Sequence, residues 1–281
     1  MRDLEWVFSS PSLVSHPQIV DQSQGLDDLD QYPGTLARLG RPGSDLEKRV
    51  AKVGKRLGDY FETLVGVWIS AVGPATVLAK NLQVHGQGGT VGEFDLDFRR
   101  DTQVHHWELA VKFYLGHPGP AGEPFWYGPN AVDRLDLKWA KMLQKQMRLA
   151  STPEGKKVLA RLGISEEVVP AALIRGVLYE SLNPKFRVAH HPDANPEGLR
   201  GWWVHQHEVE LLRGFEPQTR WMILPRLFWL SAAQHFDASR EWKPDQPASI
   251  RPLHLAAMVQ IDGEWREQSR GFVVPDSWPG A

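Results

Sequence analysis

Five residues on two short runs could act together on a phosphate or a metal. Glu93, Asp95 and Asp97 alternate with Phe94, Leu96 and Phe98, so the acids share one face of a strand. In the run His106-Trp107-Glu108-Leu109-Ala110-Val111-Lys112-Phe113-Tyr114-Leu115, Leu109, Val111, Phe113 and Leu115 form the apolar face, and Glu108 and Lys112 lie on the other. Residues 99–102 read as a turn. A hairpin centred between Asp101 and Thr102 puts Asp95 opposite Glu108. Carboxylates facing each other across an antiparallel pair have Cβ atoms about 5 Å apart, and their like charges destabilise the sheet. A divalent cation with oxygen ligands offsets that repulsion, and Mg2+ needs only one or two carboxylates plus water and a substrate phosphate. Lys112, two pleats beyond Glu108, could place an ammonium beside such an ion. The competing reading is a solvated polar strand face.

The elements that must position these groups are legible in outline. Ser44 with Glu47 forms a capping box, and Leu46, Val50, Val53, Leu57, Phe61, Leu64 and Trp68 recur at spacings of three and four. They predict one long helix over 45–70, ended by Gly73-Pro74, with Glu62 near the edge of its packed face. Residues 76–84 form a further strand. Residues 116–129 are a Gly/Pro-rich loop, and a second helix is predicted over 130–149. Residues 1–43 are rich in turn formers. In the last part, 172–179, 220–230 and 255–272 read as strands, the last a hairpin turning at Asp262-Gly263. No clear linker interrupts the chain. The prediction is a single elaborated α/β domain over 1–281, a core over 45–150 and a β-rich C-terminal extension of its sheet over 151–281.

With that framework the motifs carry a resemblance. A helix with a Glu, then Gly92-Glu93-Phe94-Asp95 on a strand, then Trp107-Glu108-Leu109-Ala110-Val111-Lys112 on the next, resembles the PD-(D/E)XK nuclease superfamily, the restriction-endonuclease-like fold. The wider sequence also resembles an uncharacterised bacterial domain-of-unknown-function family placed in that superfamily. The resemblance implies a mixed sheet flanked by helices. It implies Asp95 and Glu108 as ligands of Mg2+ or Mn2+, Glu62 as an accessory acid that holds the metal or its water, and Lys112 as the group that positions the attacking water. Two departures stand out. Phe94 replaces the usual Pro. The usual acid-x-Lys spacing would put the Lys at 110, where this chain has Ala110; Lys112 shares the facing but lies about 6.6 Å further along the strand.

On the second predicted helix, Arg134, Lys138, Lys141, Lys145 and Arg148 are spaced four, three, four and three, which would gather five cations on one face. Beside an acidic pocket such a face suits the backbone of a nucleic acid, DNA rather than RNA by expectation. Alone it reads as a solubilising face. The resemblance adds that related nucleases often carry a Gln or Lys on this helix near the metal, which singles out Lys138, Gln144 and Gln146.

Composition excludes several alternatives. The chain has 281 residues and no Cys, so disulfide scaffolds, thiolate metal sites and thiol nucleophiles are excluded. Lys and Arg number 32 against 34 Asp and Glu, a net charge of −2, which argues against a histone-like general DNA binder but allows a local basic groove. No apolar run approaches the ~20 residues of a membrane span. The start of the chain carries acids rather than an apolar signal core, so a cytoplasmic protein without membrane partners is expected. No Gly-rich phosphate loop follows a strand. None of the eleven His residues has a recognised ligand spacing, and only His106 shares the acidic face. Trp202, Trp203, Trp221 and Trp229 are expected in a core rather than on a stacking surface. The functional expectation is a metal-dependent nuclease hydrolysing phosphodiester bonds of DNA or RNA. The alternative, prompted by Ala110, is a non-catalytic nucleic-acid or protein-binding module on a nuclease-like scaffold.

Overall fold

The two alternating runs form the hairpin their spacing predicts. In a computed structural model, which describes residues 1–280, β2 (Gly89–Arg100) and β3 (Gln103–Pro118) are joined by a tight turn at Asp101-Thr102. Asp101 takes φ 54°, a left-handed conformation that Asp tolerates better than most residues. β1 (Ala75–Gly86) pairs antiparallel with β2 on its other side. The predicted loop after β3 carries its own strand, β4 (Pro124–Tyr127), which folds back on β3. The later strands are β5 (Val168–Ser181), β6 (Arg200–His205), β7 (Arg220–Ile223), β8 (Glu241–Trp242), β9 (Leu253–Ile261) and β10 (Glu264–Val274). The mixed sheet has ten strands, in the hydrogen-bonded order β1-β2-β3-β5-β6-β10-β9-β7-β8, with β4 on β3. β6 is parallel to both β5 and β10, and β9 and β10 form the predicted hairpin around Asp262-Gly263.

The chain divides into two compact units whose borders fall inside β3 and β5. The first comprises Met1–Val111 and Lys138–Arg175. Its helices are α1 (Arg2–Ser9), α2 (Gln22–Gln31), α3 (Thr35–Leu39), α4 (Asp45–Val50), α5 (Leu57–Ala71), the end of α6 (Leu135–Lys141) and α7 (Pro153–Arg161). Phe61, Leu64, Val65 and Trp68 of α5 are buried, and Trp68 stacks on Phe8 of α1 with ring centroids 4.6 Å apart. Val84, Phe94 and Val104, one from each of the first three strands, pack with Leu149, Leu159 and Ile164. Arg175 is fully buried, and its guanidinium donates to the backbone carbonyls of Val7, Val20 and Asp21. Burial lowers its pKa to about 10, so it remains protonated at neutral pH and ties the N-terminal segment to β5.

The second unit runs from Lys112 to Leu137 and from Gly176 onward. Trp202, Val204, Leu212, Trp221, Trp242, Leu255, Ala257 and Val273 form one of its cores, and Trp203 is also fully buried, so three of the four tryptophans singled out by sequence are core residues. Gly176, at φ 155°, lets β5 approach β3 closely: a Cβ there would stand 1.7 Å from the carbonyl oxygen of Lys112.

Three expectations need correction. The helix predicted over 45–70 is two helices, α4 and α5, parted by residues 51–56. The capping box forms, with Ser44 Oγ accepting from Glu47 N and Glu47 accepting from Gly43 N, but Gly54 offers little helical propensity and Lys52, Lys55 and Arg56 are exposed, so nothing holds the middle turn. The helix predicted over 130–149 is α6 followed by a π-turn over Met142–Gln146 and a short 3-10 turn over Leu149–Ser151. Residues 1–43 contain three helices, which short length and polar composition conceal in the sequence.

Asp28 of α2 fixes α5 against the hairpin. It is buried, and its carboxylate accepts from both terminal nitrogens of Arg100 (3.0 and 3.2 Å) and from the Trp68 indole (3.2 Å). Removing one member of such a pair leaves an uncompensated buried charge. Asp28→Ala is therefore expected to lower stability by about 3–5 kcal/mol in urea unfolding, whereas Asp45→Ala, which removes an exposed pair with Arg49, should change it by less than about 1 kcal/mol.

Candidate functional site at the strand fork

Pairing between β2 and β3 covers only the closed end of the hairpin. It runs from Arg100↔Gln103 to Leu96↔Trp107, in the register predicted from sequence, and ends there. Asp95 and Glu108 are the first residues beyond the last pair. The backbone N–H of Leu109 does not find a ladder carbonyl on β2; it donates to Asp95 Oδ2 at 2.9 Å. A side-chain carboxylate thus replaces a main-chain acceptor where the two strands part.

The β1 side of Asp95 is also irregular. Between the pairs Lys80↔Leu96 and Leu82↔Phe94, Asn81 stands opposite Asp95 with φ 49°, a left-handed backbone inside a strand. Its amide donates to Glu62 Oε2 at 3.2 Å, so α5 and β1 hold Glu62 together. Sequence reasoning missed Asn81. The one signal was an Asn, a poor strand former, within a strand-like run.

Glu108 is fully buried at the centre of a hydrogen-bonded chain. Its Oε1 meets His106 Nε2 at 3.1 Å, and His106 Nδ1 meets Asp97 Oδ1 at 2.9 Å. His106 itself has no solvent exposure. Burial opposes its protonation, but hydrogen bonds to Asp97 and Glu108, with their charges, outweigh that and push its pKa up to about 9. The imidazolium supplies one positive charge to two buried carboxylates, and Asp97 Oδ2 has no hydrogen-bond partner among the described residues. The other oxygen of Glu108 accepts from Gln146 Nε2, and Gln146 Oε1 accepts from Lys138 Nζ at 3.1 Å.

Asp95 is a poor place for a negative charge. Burial first, and then the charge of Glu108, raise its pKa from 3.8 to about 7; Glu62 adds to the rise, while the Leu109 N–H and the charge of Lys138 oppose it. Burial also raises the pKa of Glu62. The three acids predicted from sequence are therefore brought together electrostatically. Lys112 is not part of that set. Its ammonium rests on Asp133 Oδ2 at 2.5 Å, and Tyr114 shares the same carboxylate at 3.2 Å. Two pleats along β3 were enough to give Lys112 a different partner, and Lys138 is the cation whose charge reaches Asp95.

The basic stripe is also rearranged. Arg134 precedes α6, pairs with Asp136 and lies over the Phe125 ring at 3.8 Å. Lys138 and Gln146 are half-buried, whereas Lys141, Gln144, Lys145 and Arg148 are exposed. The five cations do not share one face, because the π-turn changes the helix phase between Lys141 and Met147.

The donor chemistry fits a hard divalent ion. Asp95 and Glu108 offer oxygen, and their mutual repulsion is what a cation would relieve. Among the described residues no three His, Asp or Glu side chains already form a metal cage, so such an ion would be held by one or two carboxylates with water completing its shell. No helix among the described residues is long and apolar enough to cross a membrane.

Fold and site together define a mixed α/β protein with a buried acid cluster at the fork of its β2–β3 hairpin. The chain belongs to the family described as a domain of unknown function (DUF1853), whose model matches residues 2–274. No curated protein and no solved structure matches it.

The raised pKa of Asp95 has a sign that can be checked. A carboxyl that holds its proton more tightly when folded than unfolded loses stability as pH rises from about 4, and the full deficit is present above about 7. Asp95→Asn should therefore stabilise the metal-free protein at pH 8 by roughly 2–4 kcal/mol, and much less at pH 5. Urea unfolding at the two pH values measures this; equal effects at both would count against the electrostatic account.

Proposed function

We propose that this protein is a metal-dependent nuclease on a restriction-endonuclease-like scaffold, hydrolysing phosphodiester bonds of nucleic acid, with DNA the favoured substrate. The observation that carries the proposal is Asp95. It sits at the strand fork beside Glu108 and Glu62, at a cost in electrostatic energy that a purely structural residue would not need. The order helix Glu, strand Asp, strand Glu resembles the PD-(D/E)XK superfamily, and that resemblance extends the reading to fold and reaction.

In this scheme Asp95 and Glu108 hold the ion, with Glu62 beside them. Bound Mg2+ or Mn2+ would polarise the scissile phosphate and make a water more acidic. Glu62, whose proton affinity burial raises, takes the proton of the attacking water. The water oxygen forms a bond to phosphorus, the bond from phosphorus to the 3′ oxygen breaks, and that oxygen leaves with a proton from solvent. The product strand keeps a 5′-phosphate. His106 and Gln146 fix the Glu108 carboxylate from either side, so its orientation is set before any ion arrives. Exposed Lys141, Lys145 and Arg148 supply sequence-independent contacts to the nucleic-acid backbone.

One observation favours a second reading, a binding module without catalysis. Both oxygens of Glu108 already have protein partners, and residue 110 is Ala. Cleavage of labelled single- and double-stranded DNA and RNA in Mg2+ or Mn2+ separates the two. The nuclease reading expects wild-type cleavage that chelation abolishes, and a loss of at least about 100-fold in Asp95→Ala and Glu108→Gln. Binding that ignores metal, with no cleavage of any substrate, leaves the module.

A further inference from the structure

The π-turn that carries Gln146 to Glu108 also walls a cavity of about 960 Å3, and none of the acids of the cluster lines it. All its lining residues belong to the first unit. Leu143 comes from the turn and Met147 from its end, Leu159 and Ala160 from α7, Ile164 from the loop that follows, and Val168 from β5. Leu143 and Val168 are half-buried and Ala160 is exposed, so part of this apolar wall faces solvent. Pockets for small organic ligands have this size, about 300–1,000 Å3, and are mostly apolar with a few polar groups that fix orientation. An apolar body that displaced water from the wall would gain by its burial. The polar groups beside the wall are unequally partnered. The charge of Glu166 is answered by Arg99, and its Oε2 accepts from Ser165 N at 2.9 Å. His16 is held by the backbone N–H of Gln18 at Nδ1 and by edge contact with Trp139. Arg148 and Lys156 are exposed, and among the described residues their side chains make no hydrogen bond or ion pair. Glu167 is the remaining acid of the lining, so two unpaired cations stand against one acid.

We propose that this cavity is a binding site for a small anionic amphiphile, an organic acid with an apolar body, whose body covers the Leu143–Met147–Leu159 wall and whose acid group pairs with Arg148 and Lys156. Each part of such a molecule meets what the cavity leaves unused. A neutral ligand would leave both cations without a partner, and a cationic one would be repelled by them. The guanidinium of Arg148 offers two parallel donors to a carboxylate or sulfonate, and the ammonium of Lys156 adds a point charge. The proposal stands apart from the nuclease reading. Arg148 serves in both, but Lys156 and the apolar wall serve only here.

The test titrates two dyes into the full-length protein, followed by fluorescence: anilinonaphthalene sulfonate, an anionic aromatic, and phenylnaphthylamine, its neutral counterpart. Wild type is compared with three variants, each checked for folding by circular dichroism. Arg148→Gln/Lys156→Gln removes the two cations. Lys157→Gln/Arg161→Gln makes the same charge change at exposed positions of α7 that do not line the cavity. Ala160→Trp fills the cavity from α7. Wild type should bind the sulfonate saturably. Losing Arg148 and Lys156 should weaken that binding about fivefold or more and leave the neutral dye within about twofold, as expected for two partly exposed ion pairs. The control pair should change neither dye by more than about twofold. Ala160→Trp should weaken both dyes by about tenfold or more, since the body has lost its space. Should Ala160→Trp fail to fold, the two double variants decide alone. Displacement of the sulfonate by decanoate assigns an aliphatic acid, and displacement by naphthoate an aromatic one. The proposal is overturned if wild type shows no saturable sulfonate binding, if the control pair weakens it as much as the Arg148 and Lys156 pair does, or if a folded Ala160→Trp binds as wild type does. It is also overturned if adenosine monophosphate displaces the dye and neither organic acid does, because the occupant would then be a nucleotide.

Discussion

One backbone N–H organises the strand fork of the first unit. Where β2 and β3 part, Leu109 loses its place in the ladder, and the carboxylate of Asp95 accepts its hydrogen bond. A buried N–H without a partner would be costly, and a carboxylate is a strong acceptor for it. Accepting that bond fixes Asp95 in the fork, half-covered and next to Glu108. The same placement makes its ionisation unfavourable. The position that completes the backbone's hydrogen bonding is thus also the position that stores electrostatic strain.

The surroundings manage that strain unequally. Asp97 and Glu108 share the buried imidazolium of His106, so one positive charge offsets part of the negative charge on the inner part of the acidic face. Asp95 and Glu62 lack an equivalent. Asp95 has a backbone N–H and the charge of Lys138; Glu62 has the amide of Asn81 and the charge of Lys80. The outer acids thus have fewer protein partners than the inner pair, which has the imidazolium between its members.

Irregular backbone surrounds the acids. Asn81 is left-handed inside β1, the β2–β3 ladder ends early, and the helix that carries Gln146 contains a π-turn. Each irregularity redirects one side chain toward the cluster. Regular elements would leave Glu62 without Asn81, Leu109 without Asp95, and Glu108 without Gln146. Local departures of this kind persist only where surrounding structure holds them, here the buried Asp28–Arg100–Trp68 contact and the core around Phe94.

The alternation of acids and apolar residues in two adjacent runs was enough to determine the hairpin, its register, and the meeting of Asp95 and Glu108, because a period of two leaves a strand little choice of facing. The same pattern marked His106, and the apolar positions around Glu62 placed it toward a packed surface. What the sequence left open was the identity of partners. Lys112 has the right facing, yet Asp133, from a loop, claims it. Lys138 looked like one of five cations on a stripe, but a π-turn that no residue pattern announces shifted the residues after it and brought Gln146 against Lys138. Asn81, the broken helix over 45–70 and the three N-terminal helices were likewise hidden. Facing and register follow from local periodicity; which charge meets which depends on where separate segments end and how far a few turns depart from regular geometry, and only the folded chain decides that.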